Sequence, residues 1–160
     1  MMKFSHIVIV FITFLASAGM AVSQTSSGTQ EYGDGGAYEG EFLNGLPHGN
    51  GTYELPNGYR YVGEWFEGEI NGQGEALFPN GSVYIGSFVK GKPEGSGKIT
   101  FTDGGTYEGE WANGSITGEG YAKYANGTTY QGTFLDAMHD GKGTVSYTHL
   151  RAHETRSNLG

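Results

Sequence analysis

The chain has 160 residues, of which 30 are glycine and none is cysteine, and its formal net charge at pH 7 is −8. The absence of cysteine excludes a disulfide framework, a thiolate metal site and a cysteine nucleophile. Between residues 24 and 147, 16 Asp and Glu stand against 6 Lys and Arg. This excess disfavours nucleic acid and anionic lipid as partners, because phosphate binding needs clustered bases. The simpler explanation is that the acids keep an exposed sheet soluble.

Residues 1–23 have the pattern of a secretory signal peptide. Lys3 provides a positive n-region, residues 7–15 form an apolar h-region, and small residues follow. We expect a helical signal segment that is cleaved between Ala18 and Ser23, with export to the periplasm or the extracellular space. A cut after Ser23 is preferred. The alternative is an uncleaved membrane anchor, but the apolar run is shorter than the roughly 20 residues that span a bilayer.

The next stretch, residues 24–31, is rich in Ser, Thr, Gln and Gly and predicts a flexible lead-in. Over residues 32–147 the sequence repeats with a constant period of 23 residues. A partial repeat at residues 32–37 precedes five copies. The copies open at Tyr38, Tyr61, Tyr84, Tyr107 and Tyr130. A constant period of this length indicates a repeat architecture.

The first part of each repeat alternates with period two. With the opening tyrosine as offset zero, offset two is Gly and offset four is aromatic in all copies, whereas offsets one and three are mostly polar. This alternation predicts a half-buried strand. The predicted apolar packing or interaction face consists of Tyr38, Phe42, Tyr61, Trp65, Tyr84, Phe88, Tyr107, Trp111, Tyr130 and Phe134. The predicted structural glycines at offset two are Gly40, Gly63, Gly86, Gly109 and Gly132.

The rest of each repeat predicts a turn, a second strand and another turn. Offset seven is Gly in four copies and Ala137 in the fifth, and Gly tolerates the positive φ of a turn. Offsets eleven and thirteen are always Gly, and apolar residues follow at offsets fifteen and seventeen. Asn-Gly or Asp-Gly at offsets nineteen and twenty predicts a tight hairpin turn. The expected order is strand, loop, strand, tight turn, with glycines leaving room for rings from neighbouring strands.

One hairpin cannot bury an aromatic face alone, whereas stacked hairpins can. We therefore predict an all-β fold, an elongated open antiparallel sheet of stacked β-hairpins on the order of 50 Å long. The pattern Tyr-x-Gly-x-aromatic-x-x-Gly followed by Gly-x-Gly resembles the MORN repeat. The resemblance covers residues 32–147 and implies this fold, with roles in scaffolding, protein association and, in some members, phospholipid contact. It also implies that the array is not the catalyst where it is appended to an enzyme.

Residues 148–160 depart from the pattern, because glycine disappears until Gly160 and basic residues appear. The string resembles the translation of a sequencing-library adapter, so we predict a non-native tail and a natural protein that continues differently beyond Tyr147. The alternative is a genuine short tail that caps the array.

No catalytic, cofactor or metal site is predicted. His149 and His153 have the i, i+4 spacing of metal ligands, but they lie in the tail. The Gly-x-Gly steps lie within predicted strands and no helix follows them, which argues against a dinucleotide loop. No residue marks a nucleophile turn.

We expect a secreted or periplasmic, non-enzymatic module for protein–protein interaction or scaffolding, whose apolar face meets a protein partner or a second copy. A single-layer sheet with that many uncovered rings would aggregate unless strand coiling or a partner shields them. One alternative is glycan or cell-envelope binding through the aromatic residues. Another is an accessory array for a catalytic domain beyond Tyr147. Binding to anionic membranes is not expected, because the outward offsets are acidic.

Overall fold

The computed structural model describes residues 24–147, and the predicted signal peptide and tail lie outside the described residues. The described residues contain no helix and form one open sheet of eleven strands in sequential order. The strands are β1 (Thr25–Glu31), β2 (Ala37–Leu43), β3 (Leu46–Glu54), β4 (Arg60–Phe66), β5 (Glu69–Leu77), β6 (Val83–Val89), β7 (Lys92–Thr100), β8 (Thr106–Ala112), β9 (Ser115–Lys123), β10 (Thr129–Leu135) and β11 (Met138–Ser146).

Each full repeat contributes one short strand and one longer strand, and all neighbouring strands pair antiparallel. The predicted all-β open sheet of stacked hairpins is therefore confirmed. The register recurs because every repeat has the same connection lengths, and a one-residue slip would move the rings to the other face.

The sheet begins before the first recognisable repeat. Residues 25–31, which the sequence analysis assigns to a flexible lead-in, form β1 and pair with β2. Gly28 faces Gly40 in the same way that Gly51 faces Gly63. The apolar signature is missing here because β1 is an outer strand whose residues are mostly exposed.

The structure reverses the predicted roles of the two connections in each repeat. Between β2 and β3, Asn44 and Gly45 have φ values of 52° and 82°. Two central residues in the left-handed region are the geometry of a two-residue type I′ hairpin turn. The corresponding pairs in the later repeats also have positive φ, and they are Glu67 and Gly68, Lys90 and Gly91, Asn113 and Gly114, and Asp136 and Ala137.

The Asn-Gly steps lie in the longer connections. In the connection between β3 and β4, the amide of Gly58 donates to the carbonyl of Leu55 at 3.0 Å. The side-chain oxygen of Asn57 accepts from the amide of Tyr59 at 2.9 Å. Asn57 therefore supports the loop through its side chain, and only Gly58 of the two takes positive φ.

A continuous row of glycines crosses the sheet, with one glycine on every described strand. Each member is paired directly with the next, so the backbones meet with no side chain between them. We call this the glycine row, and its members are Gly28, Gly40, Gly51, Gly63, Gly74, Gly86, Gly97, Gly109, Gly120, Gly132 and Gly143. The predicted structural glycines at offset two are every second member.

Candidate interaction surfaces

Each opening tyrosine covers two members of the glycine row. A Cβ placed on Gly74 would lie 2.5 Å from the Cε2 and hydroxyl oxygen of Tyr61, and one on Gly63 would lie 2.6 Å from the same hydroxyl. These distances are far below van der Waals contact, so any larger residue would displace the ring. The sequence analysis expected the glycines to leave space for rings from neighbouring strands. That space is filled by the tyrosine of the same hairpin.

The tyrosine hydroxyls are tied to the backbone of their own strand. Tyr61 donates to the carbonyl of Glu64 at 2.9 Å, and the other four opening tyrosines make the equivalent bond at 2.7–3.2 Å. Burial, with a smaller contribution from nearby carboxylates, raises the pKa of Tyr38 and of Tyr84 to about 12. The neutral, hydrogen-bonded phenol is thus the form that the fold requires.

The ten rings of the predicted apolar face form one continuous ladder. Each aromatic residue at offset four contacts the opening tyrosine of its own repeat, and from the second repeat onward it also contacts that of the preceding repeat. Trp65 lies 5.8 Å from Tyr61 and 4.8 Å from Tyr38 between ring centroids, with edge-to-face geometry in both pairs. The same contacts continue to Phe134. Such pairs are worth about 0.5–1.5 kcal/mol each beyond their burial, so the ladder couples neighbouring repeats.

The ladder is a packing face rather than an open surface. Nine of its ten rings are buried, and Phe42 is partly buried. The two tryptophans, which would be the strongest stacking platforms for a sugar, are each only 7% exposed. Packing of the rings on one another and on the glycine row provides the shielding that the sequence analysis left to strand coiling or a partner.

In the first four repeats, the residue paired with the offset-four ring alternates between Pro and Ile, which the sequence analysis missed. Phe42 faces Pro47 and Trp65 faces Ile70, and the later repeats continue the order. The later pairs are Phe88 with Pro93 and Trp111 with Ile116. The alternation was detectable as a 46-residue period at offsets four and nine.

His139 breaks this alternation at the last described repeat. It faces Phe134, and its ring stacks on Tyr130 with centroids 3.6 Å apart and planes 13° apart. Its Nε2 lies 2.6 Å from the hydroxyl oxygen of Tyr124, in hydrogen-bond contact. In the preceding repeats, the opening tyrosine contacts the offset-four aromatic of the following repeat. At Tyr130 it is His139 that lies against the tyrosine.

The acids at offset three, expected to be simple outward residues, also have a structural role. The carboxylate of Glu64 accepts a hydrogen bond from the amide of Gln73 at 2.8 Å and lies over Gly72, where a Cβ would collide with it. Gly72 has a φ of 117°, at an irregularity in the pairing of β4 with β5. Positive φ at offset eleven in all five repeats explains why this position is always glycine, and the carboxylate adds a steric reason in the three repeats with Glu at offset three.

The face opposite the ladder, here called the outer face, is acidic and open. Its ion pairs, Arg60 with Glu54 at 2.8 Å and Lys98 with Glu108 at 3.5 Å, are exposed and contribute little to stability. A shallow groove lies beside the second pair. It is lined by Ile85, Ser96, Lys98, Glu108, Glu110 and Glu119.

The outer face also carries an apolar row that the sequence analysis missed. Offset five is apolar in all five copies although its parity places it with the polar residues. Phe66, Val89 and Leu135 are 51%, 44% and 54% exposed. We call this set the turn-edge row, and its members are Leu43, Phe66, Val89, Ala112 and Leu135.

Residues 24–147 contain no group of three or more His, Asp or Glu side chains arranged to hold a metal ion. Within the same span no helix has the length and apolarity needed to cross a membrane.

A single open sheet of repeated hairpins, with tyrosines packed on glycines, defines an extended β-repeat protein. The chain belongs to the MORN repeat family, whose sequence profile matches residues 38–58, 61–83, 84–106, 107–129 and 130–148. These segments begin at the five opening tyrosines. No individual curated protein matches the chain. MORN repeats are generally interaction or scaffold modules.

Proposed function

We propose that the chain is an exported, non-catalytic scaffold that binds a protein through its outer face. The observation that carries this proposal is the burial of the ring ladder. Because the array satisfies its own aromatic core, it needs no partner to be stable. Its outer face and turn-edge row are the surfaces left for recognition.

Continuity between repeats supports a scaffold role. The amide of Gly68 donates to the carbonyl of Pro47 at 2.8 Å, and Gly91 donates to Ile70 at 2.9 Å. The same turn-to-turn bond recurs in the two following repeats. Together with the ladder, these bonds tie each hairpin to the next, so the array presents a long surface of constant spacing.

Export is proposed from the signal-peptide pattern of residues 1–23. We expect N-terminal sequencing of the secreted or periplasmic protein to begin between Gly19 and Gln24. An intact Met1 on protein recovered from the cytosol would contradict it.

Glycan binding through the ladder has less support, because the rings that would stack on a sugar are buried. The accessory-array alternative concerns chain beyond Tyr147 and is compatible with a scaffold role for residues 24–147.

Lysine-directed crosslinking to exported proteins of the source, with mass spectrometry, tests the proposed function. We expect a saturable protein partner whose crosslinks map to outer-face lysines such as Lys98 and Lys123. A chain carrying Gly74→Val, which should lose the fold, is the control for non-specific capture. Failure to find a saturable protein partner, together with specific retention on a glycan array, would replace the scaffold with the glycan binder.

A further inference from the structure

The turn-edge row takes no part in the buried core of the described residues. Its members lie beside the two-residue turns, on the face opposite the ladder, because Leu43 pairs with Leu46 next to the inward pair of Phe42 and Pro47. Leu46 is itself 49% exposed and extends the row sideways. Phe66 packs against the ring of His48, with centroids 5.4 Å apart, yet stays 51% exposed. Three of the five members are exposed and Leu43 and Ala112 are half-buried, so internal packing explains the recurrence of an apolar residue at this outward position only in part.

The spacing of the row fits an α-helical partner better than an extended β-strand. Successive members lie two strands apart, which is about 10 Å at the strand spacing of a sheet. Seven residues of α-helix advance about 10.5 Å, whereas same-face residues of an extended strand are about 7 Å apart. A helix lying across the strands can therefore place one apolar residue on each member. Because a straight helix cannot follow a twisted sheet indefinitely, we confine the site to three neighbouring repeats centred on Phe66.

Charge beside the row changes sign between the second and third repeats. Glu64 and Glu67 lie near Phe66 in sequence, and Glu69 is its strand partner. Val89 is followed by Lys90 and has Lys92 as its strand partner. A complementary helix has Lys or Arg beside the residue that meets Phe66. It has Asp or Glu beside the residue that meets Val89.

The net charge of the chain disfavours a second copy as the occupant. Every copy carries a net charge of −8, so two outer faces would repel each other.

We propose that the turn-edge row is the docking site for an amphipathic α-helix of a partner protein, lying along the array with an apolar residue at every seventh position. Leu46, Phe66 and Val89 form its central seat. This inference rests on the proposed function and specifies the partner's chemistry.

A synthetic, fluorescein-labelled peptide of three heptads tests the inference by fluorescence anisotropy with the full chain. It carries Leu at the apolar position of each heptad. Lys residues flank the Leu of the second heptad, which is to meet Phe66, and Glu residues flank the Leu of the third, which is to meet Val89. The control peptide has the same composition, with Lys and Glu mixed within each heptad. We expect binding of the first peptide that weakens with salt, and at least about tenfold weaker binding of the control.

Two single variants, Phe66→Ser and Val89→Thr, should each raise the peptide's Kd by about tenfold, since each removes a buried apolar contact. Ile85→Thr is the matched control, because Ile85 is 55% exposed on the same face but outside the row. Its Kd should stay within about twofold of the unmodified chain's. Circular dichroism melts confirm that all three variants are folded, and exposed positions should tolerate the change.

Equal binding of both peptides, equal effects of Ile85→Thr and Val89→Thr, or no binding at all would overturn the inference. So would analytical ultracentrifugation showing a dimer that Phe66→Ser dissociates, because a second copy would then be the occupant. If the crosslinked partner binds the Phe66→Ser and Val89→Thr variants as well as it binds the unmodified chain, the proposed function stands and the helix site fails.

Discussion

At the scale of the residue, the array depends on tyrosine rings that pack directly over glycines. Each opening tyrosine needs two glycines beneath it and a carbonyl in reach of its hydroxyl. Each offset-three glutamate needs a glycine beneath its carboxylate. Most of the invariant glycines are therefore explained by steric contact, and positive φ is required mainly in the turns and at the bulges.

Gly74→Ala tests this steric account. The added methyl group would lie 2.5 Å from the ring of Tyr61, so we expect a loss of about 1–3 kcal/mol in the free energy of unfolding. Gly33→Ala is the matched control, because no atom lies within 4 Å of the added group. It should change stability by less than about 0.5 kcal/mol. Urea unfolding measures both, and equal stability of the two variants would show that the ring does not need the glycine.

The buried tyrosines predict sensitivity to alkali. Burial raises the pKa of Tyr38 and of Tyr84 above the ordinary tyrosine value of 10.0, to about 12. The fold therefore binds the phenolic proton more tightly than the unfolded chain does. The resulting stability is fully present below pH 10 and is lost as the pH rises towards 12. Thermal melts across this range should show a falling Tm, and Tyr84→Phe should make the fall shallower; a flat profile would contradict the assignment.

At the scale of the element, the two-residue turns set the path of each hairpin. Both turn residues take positive φ, which favours Asn followed by Gly. Three repeats depart from that pair at the first position, with Glu67, Lys90 and Asp136. The turn-to-turn hydrogen bonds hold the turns in place despite these residues.

Glu67→Asn should stabilise the array. Glu67 has a φ of 51°, a conformation that Asn adopts more readily than Glu, so we expect a gain of about 0.5–1 kcal/mol. Glu39→Asn removes the same charge from a strand residue outside the turns and is not expected to stabilise. Urea midpoints of the two variants provide the comparison, and a gain in both would attribute the effect to charge rather than to the turn.

At the scale of the whole molecule, stability is distributed along a line of nearest-neighbour contacts. Each hairpin contacts the next through edge-to-face rings, paired glycines and one turn-to-turn bond, so no repeat is the centre of the fold. The two faces differ in kind. One is filled with rings, and the other is acidic and carries the turn-edge row.

The charge of the outer face predicts how the array behaves at membranes. Acids such as Glu39 and Glu108 are exposed there, and Lys98 is engaged by Glu108. Each base near an anionic surface contributes on the order of 1 kcal/mol of attraction, and here acids outnumber bases. We expect no co-sedimentation with phosphatidylserine vesicles at physiological salt. Strong, salt-sensitive pelleting would restore a phospholipid role.

Local periodicity was sufficient to predict the strands, their antiparallel order and the face on which Tyr38 and its equivalents lie. Alternation and a fixed period are properties of the chain itself, and a one-residue slip would move the rings to the other face. The sequence also indicated the turn at Gly45. Only the tertiary structure decided that the rings are buried, because burial depends on Trp65 reaching back to the tyrosine of the preceding repeat. The strand at residues 25–31 depended in the same way on pairing with a neighbour, since its own composition has no apolar alternation. The outward direction of Phe66 follows from the same alternation, but its 51% exposure was decided in three dimensions, because the described residues form one sheet with no second layer over that face.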